Sequence, residues 1–379
     1  MSATVLAVGA WLKNAACLVL GGRAHWSPVH GDLSDPAACA ALELSVQALV
    51  RQAADAGAPV QAIAHDLHPD FFSTQLAIAT ADALGVPAIG VQHHHAHLAA
   101  VIAEHGITEA VVGLALDGVG LGTDRTPWGG ELLWLDGAQW QRLGHLQPLA
   151  LPGGDRAARE PWRMATSALH AIGRGDEIVP RFGLAVGEAV AAGVHQMLDK
   201  GLNCPKTSSA GRWFDAAAGA LGLCHHQRDE AQAAIALEQA AARALTAQPT
   251  LAPLPGAVIG ADGVIDLRPV LAQLFDAPDA DAAAAGFHLA MADALADALI
   301  AAAHARGTRT ATLGGGCFFN RILRERTVRR LVDAGLTVYL PGPSGCGDAG
   351  LAIGQAWVAA QQLKTPTAIP PVEETVSCA

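Results

Sequence analysis

Two stretches of this sequence share one layout, and that repetition limits the possible folds more than any other feature. The first runs through residues 5–8, a polar loop over 9–14, residues 15–20, a Gly21-Gly22 turn and residues 23–26. The second runs through residues 111–116, a glycine-rich loop over 117–127, residues 128–135, an Asp136-Gly137 turn and a further strand. Each reads as strand, polar loop, strand, tight hairpin, strand. A strand opening into such a loop presents backbone N–H groups, a common way to hold phosphate. Two such units predict two similar lobes facing each other across a cleft, with chance similarity between hairpins as the alternative. At 379 residues the chain has length for about two or three domains.

Between the repeats the pattern is α/β. Ser34-Asp35-Pro36 supplies an N-cap and a proline for a helix running to about Gly57. Ser73 opens another helix that stops at Gly85, followed by a short buried strand over 86–91. Residues 161–247 read as mostly helical, and 310–313 and 336–340 as buried strands flanking a helix that begins near Asn320. The expected division is an N-terminal lobe over 1–110 and a second lobe with a helical insertion over 111–347. A C-terminal helix over 348–364 then returns to the lobe interface, and 365–379 form a flexible tail.

Apolar residues make up 51% of the chain and charged residues 16%, which ensures a sizeable core and excludes wholesale disorder. A formal net charge of −11 argues against an extended nucleic-acid surface but leaves room for a small anion pocket. The seven cysteines include no C-x-x-C pair, so neither a zinc ribbon nor a disulfide framework is legible and reduced thiols are expected. No basic region opens the chain and Lys13 interrupts the early apolar run, so no signal peptide is indicated. The most apolar long window, over 282–303, carries His288, Asp293 and Asp297, which marks an alanine-rich helix rather than a membrane span. A soluble, cytoplasmic protein with no membrane contact is expected.

The densest chemical signal is Gln92-His93-His94-His95-Ala96-His97. On a helix His93 and His97 stand one turn apart on the same face, a start on a transition-metal site that still needs carboxylate. Asp117, at the end of the 111–116 strand, and Asp348, directly before a helix over 351–360, are the candidates. A surface histidine run with no ligand role is the alternative. In Leu313-Gly314-Gly315-Gly316-Cys317-Phe318-Phe319-Asn320 a strand ends in glycines before a helix, which lets backbone approach a ligand or simply makes a tight turn. No Gly-Lys-Ser/Thr follows, so this is not a Walker loop. Thr207-Ser208-Ser209-Ala210-Gly211-Arg212 leads into a helix on which Asp215 either accepts from a ribose hydroxyl or stands exposed. Asp66-Leu67-His68-Pro69-Asp70 and the Asp155–Arg163 region are dense polar loops of either functional or merely salt-bridged character.

Taken in order over about residues 5–357, these segments resemble the C-terminal carbamoyl-transfer domain of the hydrogenase maturation factor HypF. The segments are Trp11-Leu12-Lys13-Asn14, Asp66–Asp70, the histidine run, Leu116-Asp117-Gly118-Val119-Gly120, Trp128-Gly129-Gly130-Glu131, Leu151-Pro152-Gly153-Gly154-Asp155, Arg159–Met164, Thr207–Arg212, Gly314–Asn320 and Gly347–Gln355. The domain is also similar to tRNA threonylcarbamoyl transferases and, more remotely, to actin and sugar kinases, which implies an α/β fold of two duplicated lobes with nucleotide in the cleft. The resemblance implies one divalent metal, iron or zinc, on His93, His97, Asp117 and Asp348. It implies an adenine nucleotide (carbamoyl-adenylate, ATP or AMP), with Lys13 and Asn14 in the first phosphate loop and Gly118 in the second. Asp215 then matches the ribose-binding acid, Gly315, Gly316 and Asn320 the adenosine segment, and His94, Asp117 and Arg212 the catalytic set.

The implied reaction moves a carbamoyl group from carbamoyl-adenylate to the C-terminal cysteine of HypE, towards the cyanide ligands of nickel–iron hydrogenase. HypE is therefore the implied acceptor, and a full-length HypF or separate adenylate-forming modules the implied donor source. The upstream acylphosphatase-like, zinc-finger-like and adenylate-forming modules are not expected in this chain. tRNA threonylcarbamoyl transfer is an alternative that the net charge and the histidine run count against, and a non-catalytic nucleotide-binding module is a third reading. Two departures stand out: Glu230-Ala231-Gln232-Ala233 has alanine where the family usually has glycine, and 342–347 is looser than the usual segment.

Overall fold

The computed structural model describes residues 3–342 and 345–364, and in it both repeated units become the framework of a sheet. Strand β1 (Val5–Ala7) runs antiparallel to β2 (Cys17–Leu20), which pairs with β3 (Arg23–Trp26) across the Gly21-Gly22 turn. Both turn glycines have positive φ, 57° and 79°, as a two-residue hairpin of this twist requires. Helix α1 (Pro36–Asp55) starts where Asp35 accepts from Ala37 N and Pro36 presets the first turn. It leads to β4 (Ala62–Asp66), parallel to β1; α2 (Phe72–Leu84) then leads to β5 (Ala88–Val91), parallel to β4, and α3 (His93–His105) follows. The order is β3-β2-β1-β4-β5. Ser73 lies inside α2 rather than capping it, its hydroxyl donating to Ala10 O. β5 is shorter than the strand expected over 86–91 and mostly exposed, because it closes the sheet with a strand neighbour on one side only.

The second unit is longer. β6 (Val111–Leu121), β7 (Pro127–Asp136) and β8 (Gln139–Leu146) form an antiparallel meander. β6 does not end at Leu116: it is irregular between Leu116 and Gly120, then pairs again with Trp128 and Pro127, so the loop proper is only 122–126. That bulge re-aims the residues between the two paired stretches, Asp117 among them. Beyond β9 (Leu149–Ala150) come α4 (Asp155–Arg159), α5 (Pro161–Ala171), α6 (Ile178–Val186) and α7 (Glu188–Lys200). β10 (Lys206–Thr207) pairs back on β9 and leads into α8 (Ala210–Ala220) and α9 (Gln232–Ala247). β11 (Val258–Ile259), β12 (Val264–Asp266), α10 (Arg268–Leu274) and α11 (Ala280–Arg306) follow, then β13 (Thr310–Gly314), α12 (Arg321–Asp333) and β14 (Thr337–Tyr339). The sheet reads β11-β12-β8-β7-β6-β13-β14, and β14, at its edge, is only partly covered rather than buried.

Helix α13 (Leu351–Gln362) packs on α3, while α3 also faces β6 and β13 and α13 faces β1, β2 and β4. The two helices thus form a layer between the sheets. Their contact depends on Gly354, where a Cβ would overlap Ala96 O. Gln355 fastens α13 to the first loop, accepting from Gly9 N at 3.0 Å and donating to Gly9 O at 3.2 Å. α11 is long and apolar enough to cross a membrane, but 83% of its most apolar window is buried inside the fold. Two of its acids face α12, where Arg326 holds Asp293 and Arg330 holds Asp297. The six described cysteines are all free; Cys378 and the expected tail lie outside the described residues.

Candidate metal and nucleotide site

Helix α3 begins at His93 because Gln92 caps it, its Oε1 accepting from His95 N at 2.9 Å. All four histidines of the run are buried, so this is no solvated face. They divide by what they meet. His93 Nε2 and His97 Nε2 lie 3.3 and 2.9 Å from Asp117 Oδ2, and 3.6 and 3.5 Å from Asp348 Oδ1. Asp117 comes from the β6 bulge and Asp348 from the turn before α13, and all four donor atoms lie within 4.8 Å of one another.

Burial works against charge on both imidazoles but is outweighed by Asp348 and Asp117, which hold the pKa of each above the ordinary histidine value. Burial likewise works against the two carboxylates, yet the imidazoles hold both below the usual range. Behind His93, Asp66 Oδ2 accepts from Nδ1 at 2.8 Å. With Nδ1 protonated towards Asp66, a neutral His93 turns a lone pair towards Asp117, a clash that a proton or a metal cation relieves. The donor set fits a divalent metal with nitrogen and oxygen ligands. Asp66 stood out in the sequence only as part of a polar loop; its role needed β4 to be seen ending beside the start of α3.

His94 and His95 are turned elsewhere. His94 Nδ1 meets Gln92 Nε2 at 3.0 Å, its ring packs beside Gly120 and Trp128, and its Nε2 has no hydrogen-bond partner. His95 lies 5.3 Å from the Trp140 ring, also with Nε2 unpartnered. Burial keeps both neutral, lowering the His95 pKa to about 3. The expected catalytic role of His94 therefore has no support in its contacts.

Asp215, the acid expected at a ribose, is buried, not exposed, and Gln227 Nε2 donates to its Oδ1 at 3.2 Å. Arg212 Nε stands 2.7 Å from Asp215 Oδ2, but the two are misaligned and neither atom has a hydrogen-bond partner. Burial pushes the Asp215 pKa up to about 6, against the pull of Arg212. Gly315, at φ 95°, passes so close to Leu116 O that a Cβ would overlap it, and a Cβ on Gly316 would stand 3.1 Å from Asp117 Oδ1. This loop therefore comes down on the metal-side carboxylate. It also carries Cys317, whose thiol burial pushes well above its ordinary value, with Asp117 adding to the shift and Arg212 opposing it.

Four expected nucleotide ligands have partners within the chain. Asn14 Nδ2 donates to Val8 O and Ala10 O, each at 2.8 Å, and its Oδ1 meets His30 Nδ1 at 3.0 Å. Asn320 caps α12 through Leu323 N at 3.0 Å and meets His288 Nε2 at 2.9 Å. Both side chains thereby hold their own loops. Gly118 N donates to Asp117 Oδ1 at 2.8 Å. Lys13 is exposed and pairs at 3.0 Å with Glu230, beside Ala231, whose φ of 58° is one glycine adopts more readily.

Residues 1–104 match the family described as the HypF Kae1-like domain, and residues 113–355 the family described as carbamoyltransferase, Kae1-like domain, second subdomain. The chain is 58% identical over 372 residues to the carbamoyltransferase HypF homolog of Cupriavidus necator, covering 97% of this chain and 93% of that one. It is 40% identical over 378 residues to carbamoyltransferase HypF of Rhizobium leguminosarum, covering 99% of this chain but 47% of the relative. The fold superposes on full-length HypF, crystallised in a phosphate- and nucleotide-bound form, with a TM-score of 0.85 at 30% identity, over 96% of this chain and 47% of that one. This chain thus spans about half the length of the longer relatives and nearly all of the short one.

Proposed function

The chain belongs to the HypF Kae1-like carbamoyltransferase family, and on that premise we propose that it transfers a carbamoyl group from carbamoyl-adenylate to the C-terminal cysteine thiol of HypE. The observation that carries this reading is the meeting of His93, His97, Asp117 and Asp348 under the loop of Gly315 and Gly316. Held by those four side chains, iron or zinc would supply Lewis acidity towards a carbonyl or phosphate oxygen.

The chain's own residues do the rest. Asp215, largely ionised at neutral pH, accepts from a ribose hydroxyl beside its ion pair with Arg212. Gly315 and Gly316 bring the main chain down beside Asp117, where its N–H groups share developing negative charge. Asp66 fixes His93 so that Nε2 faces the ligand set. In the transfer, the acceptor thiolate forms the new C–S bond, the mixed-anhydride C–O bond breaks, and AMP leaves. No nucleophile from the chain is required, which agrees with the Cys317 thiol being held protonated. In this reading the donor is carbamoyl-adenylate made by a full-length HypF or by adenylate-forming modules, in the cytoplasm.

The test is incubation of the protein with synthetic carbamoyl-adenylate and HypE, followed by mass analysis of the HypE C-terminal peptide. Carbamoylation is expected; an unmodified peptide with metal-loaded protein would refute the assignment. Adding carbamoyl phosphate and ATP instead, with no second protein, is expected to leave HypE unmodified.

A further inference from the structure

The glycines around Asp117 pack three chain segments against one another. A Cβ on Gly129 would lie 2.7 Å from Asp117 O and 2.9 Å from Ser209 Cα. One on Gly130 would lie 2.5 Å from Ser208 O, and one on Gly211 3.1 Å from Gly118 Cα. β6, β7 and the start of α8 therefore cross with no side chain between them. At the crossing, Ser209 Oγ lies 2.6 Å from Gly118 O and 3.0 Å from Asp117 O, its single proton shared between these carbonyls, and it accepts from Arg212 N at 3.2 Å.

One hydroxyl thus touches the backbone beneath a metal-side carboxylate and the first turn of the helix that carries Arg212 and Asp215. Its neighbour is locked: Ser208 Oγ donates to the buried Glu131 at 2.5 Å. Glu131 also accepts from Gly129 N and Gly130 N, at 3.0 and 3.1 Å, and from Arg142 Nε at 2.6 Å. Arg142 in turn lies over the Trp128 ring, 3.8 Å from its centroid. The carboxylate closes the junction from below, so the Ser208-Ser209 turn cannot move without the strand.

We propose that Ser209, held in place by Glu131, is a positioning residue that couples the metal-side ligands to the nucleotide-side pair Arg212 and Asp215. Any ion that sets the position of Asp117 then also sets the first turn of α8. The inference rests on the proposed nucleotide reading. It concerns how the two halves of the site communicate, not which group is transferred.

The probe is adenosine, which has no phosphate for a metal ion to contact directly. Its affinity is measured by calorimetry with and without one equivalent of Zn2+, on the native protein and on Ser209→Ala, Ser209→Thr and Glu131→Gln. Zn2+ is expected to tighten adenosine by about fivefold or more in the native protein and in Ser209→Thr, which keeps the hydroxyl. In Ser209→Ala the two affinities should coincide, and Glu131→Gln should reduce the response. A full Zn2+ response in Ser209→Ala overturns the coupling, as does a native protein that binds adenosine equally well in both conditions. Failure of adenosine to bind at all overturns the nucleotide reading and this inference with it. Should Glu131→Gln not fold, the Ser209→Ala and Ser209→Thr pair decides alone.

Discussion

The two charged clusters of the site, His93–His97–Asp117–Asp348 and Arg212–Asp215, are built on opposite plans. In the first, every imidazole faces a carboxylate and every carboxylate an imidazole, with Asp66 behind. In the second, the opposite charges lie close but misaligned, and an oxygen and a nitrogen are left without hydrogen bonds. A buried carboxylate so placed sits well above its ordinary pKa. The difference teaches that one half of the site is closed by matched donors and acceptors, while in the other a buried carboxylate is opposed by a single misaligned guanidinium.

The comparison breaks most visibly at the metal side. His97→Ala removes one of four converging donors and should cost orders of magnitude in metal affinity, because partial sites hold such ions poorly. Elemental analysis of the purified variant should find far less than one equivalent; a full equivalent would show that the ion, if any, sits elsewhere.

On the nucleotide side, Asp215→Asn separates the cost of the unsatisfied acid from its use. Unfolded, the carboxyl ionises near 3.8; folded, near about 6. Between those values the folded chain binds more protons than the unfolded one, so this group lowers native stability as pH rises from about 4 to about 6 and has a level effect above. Asn does not titrate. The variant's stability relative to the native chain should therefore rise through that window, by up to about 3 kcal/mol, as urea unfolding at a series of pH values would measure. AMP affinity should move the other way, falling by about 1.5–3 kcal/mol with the lost charge-assisted bond. A variant as sensitive to pH as the native chain, or one with undiminished AMP affinity, would contradict the contrast between the halves.

Asp66→Asn sharpens the contrast instead. The carboxylate orients His93 without itself belonging to the ligand set, so its loss should weaken metal binding by about 10–100-fold and leave AMP affinity of the metal-free protein unchanged. Competition with a chromophoric chelator reads the first and calorimetry the second.

How much of this was legible follows the same division. His93 and His97 on one helical face, and Asp117 and Asp348 as candidate carboxylates at a strand end and a helix start, are properties of single elements, and a linear pattern carries them. The repeated hairpins and both turns are local in the same sense. Asp66 behind His93, the burial of Asp215 and the commitment of Asn14 and Asn320 to their own loops depend on which element crosses which, and periodicity does not encode that. The close packing at Gly129 and Gly130, which the sequence shows only as part of a strand, is equally hidden, since a glycine that frees an N–H and one that removes a Cβ look alike in sequence. β5 and β14 were read as buried because apolar runs do not show that a strand lies at an edge.

The smallest expected effect lies at the rim of the nucleotide half. Gln227, which donates to Asp215, also accepts from Ala233 N at 2.9 Å, so the turn over 227–233 holds the acid's one side-chain hydrogen bond. Within that turn Ala231 has φ 58° and ψ 16°, a left-handed conformation that costs an L-residue with a Cβ about 1–2 kcal/mol. Glycine removes that cost but adds freedom to the unfolded chain, worth about 0.4–1 kcal/mol in the opposite sense. Ala231→Gly should therefore stabilise the protein by about 1 kcal/mol or less, and the exposed pair of Lys13 and Glu230 beside it should add little to either form. Metal content should not change, because the turn touches no member of the ligand set. Urea unfolding of the variant beside the native chain reads the stability, and a loss of more than about 1 kcal/mol would show that the Ala231 methyl makes a packing contribution larger than the backbone strain.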